Sequence, residues 1–316
     1  MRILMVTPAA AGSLSGNRVT ALRWAGMLRQ LGHRVRLASL YERQPCDLLV
    51  ALHAWRSARS VARYAARQPD SPSIVALTGT DLYRDIHTRP AASRSLAQAT
   101  RLVLLQPDGL RFLPRQLQGK ARVIWQSARR PRSLPAKLKR VFEVCVSGHL
   151  RPVKDPFRAA RAARLLPPSS RIRIVHLGRA LSVSMQRQAC AEMKANPRYR
   201  WLGELSPGAA RGRVARSRLL VVSSKMEGGA NVISEALVAG VPVLSSRISG
   251  SLGILGRDYP GYFETGDTSA LAERLLRAES DQRFYRQLQE HARRRARLLT
   301  PAREKRAWQR LLAELA

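Results

Sequence analysis

Cysteine, lysine, aromatic residues and long apolar runs are all scarce in this chain of 316 residues. Its three cysteines, Cys46, Cys145 and Cys190, are scattered and odd in number, which argues against a disulfide framework or a CxxC-type metal motif. No HExxH or paired-aspartate pattern occurs, so we expect no metal and no cofactor. No stretch approaches the ~20 uninterrupted apolar residues of a membrane span. Met1–Thr7 is too short an apolar run for a signal peptide and is followed by no small-residue cleavage site. It reads as a first strand, and the expectation is a soluble, cytoplasmic protein. Aromatic residues make up 5% of the chain and do not alternate with basic ones, so the stacking platforms of a single-strand nucleic-acid binder are missing.

What is abundant is arginine. The 56 basic against 21 acidic residues give a formal charge of +35, and only Lys120, Lys137, Lys139, Lys154, Lys194, Lys225 and Lys305 are lysines. Such a charge suits either a nucleic-acid binder held by phosphate contacts or an enzyme for phosphorylated small molecules. The arginines are spread along helix faces, as at Arg56, Arg59, Arg63 and Arg67 or Arg158, Arg161 and Arg164. Spread charge favours a compositional habit over a shaped groove, and its field attracts small anions.

Short β-like apolar runs alternate with amphipathic stretches from end to end. Strands are expected at Arg2–Thr7, Arg34–Ser39, Asp47–Leu52, Ile74–Leu77, Leu102–Leu105 and Arg122–Ile124, with helices over Asn17–Leu31 and Trp55–Arg67. The Pro-, Arg- and Ser-rich segment Ser127–Lys139 reads as a linker. The same grammar then restarts with strands at Val141–Val146, Ile172–Leu177, Leu219–Val222 and Val241–Leu244. Helices are expected over Asp155–Leu166, Val183–Lys194 and Asn231–Ala239, and in a tail from Thr268 to Leu315 broken at Pro301. The fold class is therefore α/β, two Rossmann-like doubly wound domains facing a central cleft. The first is residues 1–138 and the second 139–300.

The most informative segment runs from Ser223 through Glu227-Gly228-Gly229-Ala230-Asn231 to Glu235 and Pro242. A strand ends, a glycine turn follows, and a helix starts at Asn231, which can cap it. A helix N-terminus offers free amides and partial positive charge to a pyrophosphate. Glu235, one turn inside the helix, can accept hydrogen bonds from vicinal hydroxyls of a sugar.

The spacing Glu227-x7-Glu235 within Glu-Gly-x-x-Asn-Val-x-x-Glu-Ala-Leu-x-x-Gly-Val-Pro-Val resembles the donor-site signature of retaining glycosyltransferases of the GT-B fold. The resemblance implies that Glu227 lies by the donor hexose and Glu235 holds the nucleotide ribose, with Gly228, Gly229, Ala230 and Asn231 around the donor. Ser147-Gly148-His149-Leu150-Arg151-Pro152-Val153-Lys154 resembles the family's Gly-Arg-Leu-x-x-x-Lys turn, which neutralises the donor diphosphate. Lys154 matches the family lysine, but His149 stands where the family has arginine. Either Arg151 substitutes, or a protonated His149 takes the phosphate. Gly12, Gly16, Asn17 and Arg18 fall where the family puts its acceptor-side loop, and residues 301–316 where its last helix packs back on the first domain. His53 and the run Thr78-Gly79-Thr80-Asp81 each follow a strand and face its ligand end. His53, Thr80 and Asp81 are acceptor-side candidates, although a structural histidine and a turn with a helix cap are the plain alternatives.

Linked short motifs narrow the resemblance. The opening Thr-Pro-Ala-Ala-Ala-Gly-Ser-x-x-Gly-Asn-Arg, with Leu-His-Ala-Trp-Arg-Ser, Leu-Thr-Gly-Thr-Asp-Leu-Tyr and Gly-His-Leu-Arg-Pro-Val-Lys-Asp-Pro-Phe, is similar to the selenosugar synthase family of bacterial selenoneine biosynthesis. That family implies transfer of a hexose from a UDP-sugar, UDP-GlcNAc or UDP-glucose, to selenophosphate through a new carbon–selenium bond. The partners would then be small molecules, with neither a membrane nor a specific nucleic acid. A transferase for a small hydroxyl acceptor, which needs a base such as His53 or Asp81, is the nearest alternative. A basic nucleic-acid-binding protein is the alternative from another class.

Overall fold

Leu48–Leu52 and Ser73–Leu77 are buried at every position, as strands of a parallel sheet covered on both faces must be. The computed structural model describes residues 1–131 and 133–315; Arg132, inside the expected linker, lies outside them. The chain divides into two compact units. The first takes Met1–Gln126, the short segment Glu227–Ala230 and the C-terminal stretch from Pro301; the second takes Ser127–Met226 and Asn231–Thr300.

The first unit carries β1 (Arg2–Val6), β2 (Arg34–Ala38), β3 (Leu48–Leu52), β4 (Ser73–Leu77), β5 (Arg101–Leu104) and β6 (Ala121–Val123), ordered β2-β1-β3-β4-β5-β6. All its pairings are parallel, with Ile3 opposite both Val35 and Leu48. The second unit carries β7 (Phe142–Ser147), β8 (Ile172–Leu177), β9 (Tyr199–Trp201), β10 (Leu219–Val222), β11 (Val243–Ser246) and β12 (Tyr262–Phe263). Its order is β12-β11-β10-β7-β8-β9, again all parallel. Read from β9, this is the doubly wound order 3-2-1-4-5-6, so the α/β class with two Rossmann-like sheets holds. The two-residue β12 and three-residue β9 are too short to show a period in sequence, and both lie at sheet edges.

The pleat sorts side chains of the first sheet to opposite faces. Leu4, Val6, Leu49, Ala51, Val75 and Leu77 join one core, and Ile3, Met5, Leu48, Val50, Ile74 and Ala76 the other. The second face is closed by two helices far apart in sequence, Gly16–Gln30 and Pro301–Ala313, whose Trp24 and Trp308 meet edge to face at 4.9 Å. Buried Glu304, in the first turn of the C-terminal helix, accepts the Trp24 indole N–H at 2.6 Å and the Arg23 Nε–H at 3.1 and 3.2 Å. The units part at Gln126 and Ser127, earlier than the boundary at 138 and 139 suggested by composition. The physical reason is that the Ala128 N–H already donates to the Leu299 carbonyl of the second unit, at 3.1 Å.

Removing the Glu304 carboxylate takes the acceptor from the Trp24 indole N–H and breaks a largely buried ion pair with Arg23. Glu304→Ala is expected to destabilise the first unit by about 3 kcal/mol, and Glu304→Gln by less. Urea unfolding followed by tryptophan fluorescence checks this, since Trp24, Trp55, Trp125 and Trp308 all lie in that unit.

Candidate active site

In open parallel sheets ligands gather at the carboxyl ends of the strands, where the strand order reverses. In the first unit that point lies between β1 and β3. The loop after β1 carries Gly12, at φ 81°, and feeds the helix Gly16–Gln30, whose first turn holds Asn17 and Arg18 and no acid. Ser15 precedes it in extended conformation without capping it through its side chain. The positive end of this helix and the Arg18 guanidinium therefore favour an anion.

After β3, His53 is 4% exposed and adopts φ 74°, a left-handed conformation costly for any residue with a Cβ. Its Nδ1 accepts the Arg56 backbone N–H at 3.4 Å. That assigns the ring proton to Nε2, which lies 3.4 Å from Thr80 Oγ1 and 3.8 Å from an Asp85 carboxylate oxygen. Asp81 is fully buried, and its carboxylate accepts N–H groups from Ala54 at 3.0 Å, Thr78 at 3.1 Å and Gly79 at 2.7 Å. It ties the loop after β3 to the loop after β4. Asp81 thus has a structural part of its own, beside the acceptor-side role expected of it: three backbone donors converge on its oxygens. Asp85 escaped sequence reasoning. It reaches His53 through the π-type turn Asp81–Asp85, whose extra residue leaves no mark in composition.

The segment Glu227–Ala230 belongs to this unit and lies against the same strand ends. A Cβ on Gly228 would come within 2.4 Å of the Thr78 carbonyl carbon, and one on Gly229 within 2.7 Å of the Leu105 Cβ. Only glycine fits both positions.

In the second unit the order reverses between β7 and β10. Gly178, at φ 136° after β8, packs so closely that a Cβ would overlap the Gly148 carbonyl. His176 is fully buried and bridges Gly148 O at 3.1 Å and Tyr199 Oη at 3.0 Å; burial pushes it down to about 4, so it is neutral. His149 accepts the Arg179 backbone N–H on Nδ1 at 3.2 Å, and its Nε2 lies 3.9 Å from Glu204. Burial lowers its pKa, and the Arg179, Arg151 and Lys154 cations act in the same direction against Glu204. The engaged Nδ1 and the lowered pKa both oppose the protonated form of His149, one of the two alternatives that the sequence left open. Arg151 and Lys154 bracket a short 3-10 turn over Pro152–Lys154. That turn is strapped to the segment after β10: Ser223 Oγ donates to the Lys154 and Asp155 carbonyls at 3.2 and 2.9 Å, and the Lys225 N–H to Val153 O at 2.8 Å. Asn231 and Glu235 share the helix Asn231–Val238, which Gly240 ends at φ 72°.

The structure thus gathers Gly148, His149, Arg151 and Lys154 on one turn of the second unit, and Asn231 with Glu235 on one of its helices. In the first unit it groups Gly12, Gly16, Asn17 and Arg18 at one loop–helix junction. His53, Thr80 and Asp81 form one cluster there, and Glu227 to Ala230 one turn.

Two six-stranded parallel sheets, each in its own unit, are the architecture of the GT-B glycosyltransferase class. Residues 132–295 match the family model for glycosyl transferases group 1, and the chain belongs to that family. Over 81 residues it is 31% identical to N-acetyl-alpha-D-glucosaminyl L-malate synthase of Bacillus anthracis, a match spanning 25% of this chain and 21% of that one. The structure of Anabaena Alr3699/HepE in complex with UDP and glucose superposes with a TM-score of 0.78 at 16% identity, covering 100% of both chains. Sucrose-phosphate synthase (tll1590) from Thermosynechococcus elongatus gives 0.78 at 15% identity, covering 99% of this chain and 98% of that one. Among the described residues no helix is long and apolar enough to cross a membrane.

Two expectations follow. The His149 ring protons should titrate by NMR with a midpoint below 6.5, because its folded-state pKa is depressed; a midpoint above 6.5 would restore a cationic phosphate ligand. Asp81→Asn places an amide where three N–H donors converge, and is expected to cost about 2 kcal/mol or more in chemical denaturation. Residual activity should then track the folded fraction.

Proposed function

We propose that the chain transfers a hexose from a UDP-sugar to selenophosphate, forming a carbon–selenium bond at the anomeric carbon. The donor half of this reading is supported by the group 1 family match and, within the second unit, by Lys154 and Glu235 beyond the ends of its strands. The named structural relative in complex with UDP and glucose agrees with it. Lys154 and Arg151 neutralise the diphosphate with the amides at the start of Asn231–Val238, Glu235 accepts from the ribose hydroxyls, and Glu227 faces the hexose.

For the acceptor, one observation carries the choice. Both bases that a hydroxyl acceptor would call on are committed elsewhere, Asp81 to three backbone amides and His53 Nδ1 to the Arg56 N–H. Selenophosphate needs neither, since its selenium is already a soft anion. A selenium lone pair forms the bond to C1 while the C1–O bond to UDP breaks and its electrons leave on the β-phosphate. Water then cleaves the selenium–phosphorus bond, giving the selenosugar and inorganic phosphate. Arg18 and the start of Gly16–Gln30 orient the anionic acceptor, and the cationic turn of the second unit stabilises the departing UDP.

The test is UDP release from UDP-glucose and UDP-GlcNAc by the purified chain, with and without selenophosphate, and mass spectrometry of the product. Release that depends on selenophosphate and yields a selenium-bearing sugar is expected. UDP binding without it would keep the transferase and reject the acceptor. Salt-dependent oligonucleotide binding in place of UDP-sugar binding would reject both. Glu235→Ala is expected to weaken UDP-sugar binding at least about tenfold by calorimetry, the loss of a charge-assisted bond; unchanged affinity would remove Glu235 from the donor site.

A further inference from the structure

Gln126 is the last residue of the first unit before the chain enters the second, and it is 3% exposed. Its Nε2 donates to Thr20 Oγ1 at 2.6 Å, on the inner face of the helix whose first turn carries Arg18. Its Oε1 is buried and has no hydrogen-bond partner among the described residues. That oxygen faces the glycine turn, 3.5 Å from where a Cβ on Gly229 would stand. On the other side of the turn, Gly228 abuts the Thr78 carbonyl, and Thr78 Oγ1 is a second buried polar atom lacking a partner. A buried acceptor with nothing to accept is costly and rare in folded chains. What this oxygen faces is the backbone of the turn, which its two glycines leave uncovered by any side chain.

We infer that Gln126 is a positioning residue: one end of its amide holds the arginine-bearing helix through Thr20, and the other seats the Gly228–Gly229 turn that follows Glu227. The side chain touches no reacting atom. It acts by fixing two backbone segments against a common wall, so that Arg18 and Glu227 keep their separation. Leucine fills the same space without either polar end, and glutamate keeps an oxygen toward the turn while accepting from the Thr20 hydroxyl. The kinetic part of the argument rests on the proposed glycosyl transfer; the structural part does not.

Amide hydrogen exchange of the full chain at Gly228, Gly229 and Ala230 compares wild type with Gln126→Leu, Gln126→Glu and Thr20→Val. Gln126→Leu should speed exchange in the turn about tenfold with the melting midpoint little changed, and Gln126→Glu should stay within about threefold of wild type. Thr20→Val, which cuts only the helix end, should show a smaller rise and serves if Gln126→Leu fails to fold. In steady-state UDP release, Gln126→Leu should lower kcat about tenfold and leave the KM for the UDP-sugar within about twofold, as misplacement of a catalytic segment does. Turn protection equal to wild type, or exchange rising across the whole unit together with a lower melting midpoint, would overturn the assignment. If the wild type releases no UDP from any UDP-sugar, the proposed function fails, and the exchange comparison still decides the role of Gln126.

Discussion

Backbone lying directly on backbone, with no room for a Cβ, is the constraint on which the functional ends of both sheets depend. Gly178 presses on the Gly148 carbonyl in the second unit, and Gly228 presses on the Thr78 carbonyl in the first. Each contact joins loops that leave different strands, so residues distant in sequence are held to a small tolerance without a side chain between them. In the second unit the parallel sheet makes this possible: β7 and β8 end on one edge, and the loops that leave them are crowded together. Such glycines lose conformational freedom on folding, and that cost is set against a close approach no other residue permits.

Around these contacts the polar groups divide by task. Asp81, His176 and Glu304 are buried and engaged by backbone, tyrosine, indole and guanidinium partners, and they hold loops and helices together. Burial also makes His176 neutral and depresses His149, so the imidazoles contribute geometry more than charge near pH 7. The positive charge at the strand ends comes from arginine, from Lys154 and from helix N-termini.

Much of this was legible beforehand. The strands whose apolar runs are buried on both faces, such as Leu48–Leu52 and Leu219–Val222, announced themselves through β-rich runs between turn signals. Glu227, Asn231 and Glu235 were legible because a turn, a helix start and an i+4 position are all local. Asp85 was not legible, because its approach to His53 depends on a π-type turn; nor was the commitment of Asp81 to Ala54, which lies 27 residues away. The division of the units at Gln126 and Ser127 was not legible, because it goes with the pairing of Ala128 with Leu299, a residue far away in sequence.

The sequence by itself determined what short-range pattern can encode: the alternation of strands and helices, the α/β class, the glycine turn and the carboxylate spacing beyond it. Periodicity and turn chemistry act over a few residues, so they are written in the chain directly. The tertiary structure alone decided which tautomer His53 and His149 adopt, which carboxylates are consumed as structural acceptors, and which glycines are obligatory. Those outcomes depend on burial and on partners supplied from tens or hundreds of residues away, as with Thr20 and Gln126 or Trp24 and Glu304. Only the folded chain brings such partners within hydrogen-bond distance.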